Sequence, residues 1–313
     1  MLKVIGRRLA LSVPLLFVVS ALIFALESLI PGDAARTILG ENATPDAVAH
    51  LRQQLGLNQA WTTRYGDWLS AAIHGDLGAS LFTGESVTSS LNTRLAVTAS
   101  LVLLTLLLST AVGVSLGMAA AVRGGRLGRV IDVASLGGLA LPNFWVAIVL
   151  ASVFAVKLRL LPATGYTGLA EDPARWIESL VLSVCALSLF GTTILAKQTR
   201  DAVLQVLERD YVRMLRANGL SETRLLLKHV LRNAAIPVVT VAGLVAIGSL
   251  MGTVFVEQVF VLPGLGTLAT QSTLDHDLPV ILGIGVYFTL IVILVNLMVD
   301  VAYSMLNPKV RAR

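Results

Sequence analysis

Six stretches of this 313-residue chain carry no Lys, Arg, Asp or Glu, or a single one near an end. They are Leu9–Leu29, Leu95–Val122, Val133–Val156, Ser179–Ala196, Asn233–Val256 and Leu278–Val299. A membrane-spanning helix needs about 20 predominantly apolar residues, and six such runs leave little else for the chain to be. Leu9–Leu29 holds 13 Leu, Ile, Val or Phe residues. At about −0.3 to −0.6 kcal/mol each, they supply on the order of −4 to −8 kcal/mol for insertion. Glu27 lies close enough to one end to reach the interface, so its cost is well below the roughly 3 kcal/mol of a mid-membrane charge. Ser179–Ala196 is the weakest run, with Ser183, Ser188, Thr192 and Thr193 inside it and Trp176 and Lys197 flanking it as interface anchors.

Composition agrees. Charged residues make up 14% and apolar ones 55%, with mean hydropathy +0.79. A soluble domain carries about 25% charged residues. Disorder is excluded by the apolar content, and a disulfide framework by the single cysteine, Cys185. The expectation is an all-α integral membrane protein with six transmembrane helices. Cys185 is expected to be a buried apolar thiol in the fourth. The first run follows Lys3, Arg7 and Arg8, but it is longer than the 7–15 residues of a signal-peptide core, so it reads as a retained span.

The net charge is +5, yet the basic residues sit in short clusters beside the apolar runs, which argues against a nucleic-acid partner. Alternate connecting segments hold 17 and 7 of the 24 Lys and Arg residues. The positive-inside rule then puts both termini in the cytoplasm. Two connections are too large to be plain loops. Ile30–Arg94 is external, with a helix starting at Thr44-Pro45-Asp46 and ending near Gly56, and a second from Asn58 to His74 stopped by Gly75. Lys197–Arg232 is cytoplasmic. Asp201–Ala217 predicts one helix with Leu204, Leu207, Tyr211 and Leu215 on a stripe. Asn218-Gly219 stops it and Leu220 closes the cap. Ser221 is a suitable N-cap for a short helix over Glu222–Lys228, with Glu222 well placed against its dipole. Asn233 and Pro237 then lead into the fifth span. Two angled helices joined by a tight turn make a rigid knob that can receive a push and pass it to two spans. A solvated basic loop is the plainer reading, but it would not need a stop, a cap and a second helix in this order.

These residues resemble a known family. Asp210-Tyr211-Val212-Arg213, Arg216-Ala217-Asn218-Gly219-Leu220-Ser221-Glu222 and His229-Val230-Leu231-Arg232-Asn233 through Pro237-Val238-Val239-Thr240 are similar to the cytoplasmic signature of ATP-binding-cassette (ABC) importer permeases of the dipeptide, oligopeptide and nickel group. The likeness spans nearly the whole chain: Arg7-Arg8-Leu9, Pro31-Gly32-Asp33, Leu55-Gly56-Leu57, Gly75-Asp76-Leu77-Gly78, Leu141-Pro142-Asn143-Phe144-Trp145, Leu161-Pro162-Ala163-Thr164-Gly165-Tyr166, Leu262-Pro263-Gly264-Leu265-Gly266 and Asn296 to Asn307-Pro308. It departs from the broader importer pattern at Arg213-Met214-Leu215, where Glu-Ala-Ala stands, and at Arg232, where a proline stands.

The resemblance implies a type I ABC-importer permease fold, with residues 1–93 as first span plus external segment, 94–306 as the transport core, and 307–313 as a cytoplasmic tail. It implies a coupling helix near 220–228 seated on an ATPase. The coupling residues are then Arg213, Ala217, Gly219, Leu220, Ser221, Glu222, Arg224, His229, Leu231, Arg232 and Asn233. It also implies a second permease subunit, two ABC ATPase subunits and an external substrate-binding protein. No G-x-x-x-x-G-K-[ST] occurs, so ATP and magnesium belong to the partners and this chain holds no cofactor of its own. The Gly124-Gly125 to Gly128 cluster is a turn between spans. No G-x-S-x-G elbow occurs, and no catalytic residue is expected.

Pro142-Asn143 breaks the third span near its start. Asn143 and Trp145 either line a pathway or pack. The four histidines lack metal-ligand spacing, and Asp275-His276-Asp277 reads as a solvated turn, with a metal or substrate contact as the alternative. Glu27, Glu257 and Asp300 near span ends read as structurally paired acids. A secondary transporter or channel working without ATPases is the alternative function, although paired intramembrane charges and inverted repeats are not evident. A non-transporting scaffold would share the topology.

Overall fold

The computed structural model describes residues 2–306 apart from 28, 30 and 31. The expected tail 307–313, the Asn307-Pro308 motif and Pro31 lie outside the described residues. Thirteen α-helices occur among the described residues, with a lone β-bridge between Ala79 and Ser86. Five helices are long and apolar enough to cross a membrane: α1 (Leu2–Glu27), α5 (Val87–Arg123), α8 (Pro173–Leu207), the continuous run Glu222–Phe260, and α13 (Leu278–Leu306).

The third expected span is not one rod. It divides into α6 (Gly125–Ala140) and α7 (Asn143–Leu150), and α7 runs on as a π-helical turn over Ala151–Lys157. Pro142 causes the break. Its ring disfavours helical geometry at Leu141, which has ψ 118°, and it has no N–H to continue the ladder. The fourth expected span, the weakest in sequence, is 35 residues long. Asp172 starts it, accepting bonds from Ala174 and Arg175 N–H at 3.0 and 3.1 Å, with Pro173 in the first helical position.

The chain divides into two compact units. The larger contains, among the described residues, Ala99–Leu262 and residues 294–306. Its helices meet through small residues. Ser109, Gly113 and Gly117 lie one turn apart on α5 and face α8: the Ser109 hydroxyl donates to Ser188 O at 3.1 Å. A methyl group at Gly113 would sit 2.7 Å from Leu195 Cβ, and one at Gly117 would strike the Ala196 carbonyl. This is the close backbone approach that small-xxx-small spacing permits between membrane helices. Gly191 does the same for Val245 of α11 (Leu231–Phe260). Cys185 corrects the expectation of a buried thiol: it is exposed on α8 among buried neighbours, because it falls on the outward side of the helix.

The smaller unit comprises Leu2–Thr98 and Pro263–Ile293. It carries α1, α2 (Ala34–Leu39), α3 (Pro45–Gln54), α4 (Trp61–Ala72) and α12 (Leu265–Asp275). The Thr44 hydroxyl caps α3 by accepting from Ala47 N–H at 3.3 Å, and Gly56 turns the chain with φ 65°. Helix α4 is shorter than Asn58–His74, starting only at Trp61. Tyr65 packs edge-on to Phe17 and Phe24 and stacks on Trp68.

Asp275-His276-Asp277 is not a solvated turn. Asp277 is 4% exposed. It accepts from Ser80 Oγ at 2.5 Å and Leu81 N–H at 3.2 Å, pinning the hairpin that follows α4. His276 lies 3.3 Å from Glu27 through Nδ1, so Glu27 has a structural partner, as expected. Residues far apart in sequence supply both contacts, which is why a local reading missed them.

Candidate functional site

The connection between α8 and the Glu222–Phe260 helix forms a knob within the larger unit. Helix α8 does not stop at the expected Lys197 boundary but continues to Leu207. The expected single helix Asp201–Ala217 is broken instead at Glu208-Arg209, where Arg209 takes an extended ψ of 143°. The second half is α9 (Asp210–Ala217). The stripe of Leu204, Leu207, Tyr211 and Leu215 nonetheless packs on one cluster, centred on buried Ala121, Val203, Val206, Val212, Leu225, Val230 and Ala234. The break folds the stripe around that cluster, and the knob is therefore a small hydrophobic core.

Asn218-Gly219 ends α9 as the sequence predicts. Gly219 has φ 79°, a left-handed value that costs any other L-residue except Asn or Asp appreciably. Its N–H bonds Arg216 O at 3.0 Å, and Leu220 N–H reaches back to Leu215 O at 3.2 Å. Leu220 then tucks against the knob core, closing the cap. Ser221 occupies the N-cap position of α10 (Glu222–Arg224), but its hydroxyl makes no capping bond. Glu222 instead reaches across the turn to Arg216, with Nε to Oε1 at 2.6 Å and Nη2 to Oε2 at 3.2 Å. This two-pronged pair clamps the end of α9 to the start of α10. The hydrogen bond from Arg216 holds the Glu222 carboxyl below its ordinary range, and the same bond to Glu222 raises the guanidinium of Arg216.

The expected short helix Glu222–Lys228 is not a separate rod. Helix α10 widens into a π-helical turn over Leu225–Val230 and passes without a gap into α11. Pro237 lies inside that helix, not ahead of it. Asn233, the third residue of α11, donates through Nδ2 to Tyr211 Oη at 3.1 Å and to His229 O at 2.8 Å. It thereby ties α9 to the base of α11. Both legs of the knob are thus continuous, or nearly so, with long apolar helices.

Of the expected coupling residues, Arg213, Ala217, Gly219, Ser221, Glu222, Arg224, Arg232 and Asn233 are exposed on the knob or at its root. Leu220, His229 and Leu231 are half-buried. Arg213 pairs loosely with Asp210 at 3.6 Å. Two apolar side chains stand out of this polar surface, Met214 at 60% and Leu227 at 62% exposure. Asn143 and Trp145 lie elsewhere, on α7. Asn143 is half-buried over Gly252, where a Cβ would meet its Nδ2 at 2.8 Å. Trp145 is 49% exposed.

The sequence reading did not assign Arg216 or Tyr211 to the site. Their partners lie across the turn, six residues away for Glu222 and 22 for Asn233, so only the bent path of the chain pairs them. It also missed Asp132, which joins α6 to α8 through Arg200 at 2.7 Å and Lys197 at 3.5 Å.

The chain is similar over its whole length to known transport proteins. A family model described as binding-protein-dependent transport system inner membrane component matches residues 113–312. A companion model for the N-terminal part of such components matches residues 1–102. A putative peptide transport system permease protein of Brucella abortus is 37% identical over 312 residues, 99% of each chain. A probable peptide ABC transporter permease protein of Sinorhizobium fredii is 38% identical over 97% of this chain and 98% of its own. A glutathione transport system permease protein of Escherichia coli is 37% identical over 99% of each. With its knob, its apolar helices and both halves matched, the chain belongs to the family of binding-protein-dependent transport system inner membrane components.

Proposed function

We propose that this chain is the permease subunit of an ABC importer for peptides or a closely related small solute such as glutathione, and that it takes its driving stroke through the knob at Asp210–Asn233. The observation that carries the reading is the clamped turn: a left-handed Gly219 and the Arg216–Glu222 pair hold α9 against α10, and α10 runs directly into an apolar helix. A loop that merely obeyed charge rules would have no reason to be stapled this way. The names of the relatives support the solute class.

On this reading ATP and Mg2+ sit on two ABC ATPase subunits. Their closure pushes the exposed face of Met214, Ala217, Gly219, Ser221, Glu222, Arg224 and Leu227. Arg213 and Arg232 flank that face, while Leu220, His229, Leu231 and Asn233 transmit the push. A second, related permease completes the pathway, and an external binding protein delivers the solute. Both termini face the cytoplasm, as the distribution of Lys and Arg directs. Asn143 and Trp145 are proposed to line the pathway, because they follow a proline break in an otherwise apolar run. The expected movement is a rigid-body rocking of helices, since the knob has a packed core of its own.

The test is co-purification of the native complex, identification of the solute held by its binding protein, and ATP-dependent uptake after reconstitution. ATP-dependent uptake that needs the ATPases supports the reading. Solute movement by this chain alone on an ion gradient overturns it.

A further inference from the structure

The smaller unit contains a cavity of about 230 Å³ that the coupling account does not use. Glu27, Asp33, Arg52, Trp61, Arg64 and His276 line it. Three of its charged groups have partners in the wall. Glu27 lies 3.3 Å from His276 Nδ1. Asp33 accepts from Ala35 N–H at 3.0 Å and lies 3.7 Å from Arg52.

Arg64 differs from these. Its guanidinium lies 5.5 Å from the ring centre of Phe24, and among the described residues it makes no ion pair or side-chain hydrogen bond. Burial lowers its affinity for a proton. A guanidinium carries five donors in a fork matched to a carboxylate. Holding that fork half-buried with only an aromatic face beside it is costly unless something else completes it. The cavity also carries acids. Glu27 and Asp33 balance Arg52 and Arg64 in formal charge, so a simple anion drawn to Arg64 would meet two carboxylates in the same space. A ligand with both charges satisfies both ends.

We propose that this cavity is a binding site for a small zwitterion of amino-acid or dipeptide size, its carboxylate on the Arg64 fork and its ammonium toward Glu27 and Asp33. The volume suits that size, since pockets for larger, drug-sized ligands measure roughly 300–1,000 Å³. Trp61, one turn before Arg64 on α4, supplies a flat apolar wall. The choice of a peptide as probe rests on the permease reading; the site itself rests on the cavity and its unbonded guanidinium.

The test uses the full-length chain in lipid nanodiscs and equilibrium binding of the dipeptide Ala-Ala, its N-acetyl derivative and its C-terminal amide. Saturable binding of Ala-Ala is expected, with each blocked derivative weaker by about tenfold or more, the scale of one lost charge-assisted contact. Arg64→Gln should weaken Ala-Ala binding by a similar factor and Arg64→Lys by less. Leu81→Trp, which fills the cavity and leaves every charge in place, should abolish binding. Absence of saturable binding overturns the proposal, as does equal binding of the blocked derivatives. Loss in Arg64→Gln with full binding in Leu81→Trp also overturns it, because disturbed folding then explains the loss. ATP-driven uptake by the complex without binding at this cavity defeats the inference and leaves the permease reading standing. Binding here with no uptake by a complete complex does the reverse.

Discussion

Replacing Gly219 by alanine isolates the turn of the knob from everything around it. At φ 79° an L-residue pays roughly 1–2 kcal/mol in contact between its Cβ and the backbone. No other contribution enters, because nothing lies within 4 Å of a Cβ built at this position. A penalty of that size raises the open population of the turn by about fivefold to thirtyfold. The bond from Leu220 N–H to Leu215 O reports that opening, so the Leu220 amide should exchange faster by that factor in Gly219→Ala. Asparagine tolerates the left-handed region, so Gly219→Asn should show a smaller effect. Gly219→Pro should be the most severe, since it fixes φ near −65° and removes the N–H that bonds Arg216 O. Solute-stimulated ATP hydrolysis by the assembled complex should fall in the same order, with insertion intact and stimulation abolished in the proline variant. Full stimulation in Gly219→Ala together with unchanged exchange would refute the reasoning, as would asparagine proving worse than alanine.

Glu222→Lys turns the clamp into a repulsion with Arg216 and should weaken co-purification of the ATPase subunits; undiminished capture counts against the docking role. Because the Glu222 carboxyl is held below its ordinary range, the clamp is complete above the unfolded-state value of about 4.5 and is lost as pH falls through the lower, folded value. ATPase capture should therefore not vary between pH 6 and 8 through this pair, and it should weaken with added salt because the pair is exposed. Gly117→Val drives a side chain into the Ala196 carbonyl and the Thr199 side chain, and should cost about 1–3 kcal/mol or more through the α5–α8 crossing, seen as a lowered detergent melting temperature. Asp277→Ala leaves Ser80 and the Leu81 N–H without their buried acceptor and should cost about 1–3 kcal/mol, read as proteolysis between residues 78 and 86.

What the sequence could show followed from periodicity and local chemistry. The apolar runs locate every long helix, because insertion energy is a sum over consecutive residues. The Asn218-Gly219 stop and the Thr44-Pro45 start are equally local, and both stand in the structure. Helix ends were less legible. Helix α8 runs from Pro173 to Leu207, far beyond its uncharged stretch, because polar residues continue a helix where its packing surface continues. Pro142 was visible as a break, but that it separates two helices, not merely bends one, depends on the extended Leu141. Ser221 stands at the N-cap position the sequence indicates, but its hydroxyl makes no capping bond; the turn is held instead by the Glu222 pair with Arg216. Pairs closed by the fold, such as Asn233 with Tyr211 and Asp277 with Ser80, leave no local trace.

The most direct test of the coupling claim begins from a chain with Cys185→Ala, which removes the sole native thiol. A cysteine introduced at the exposed Ser221 is then crosslinked in the assembled complex in sealed vesicles, with and without ATP. The account predicts a disulfide or short-linker crosslink to an engineered cysteine in the ATPase groove, with a yield that changes between nucleotide states. Labelling of that cysteine by an impermeant reagent from the external side, or no crosslink to an ATPase at any stage of turnover, would contradict it.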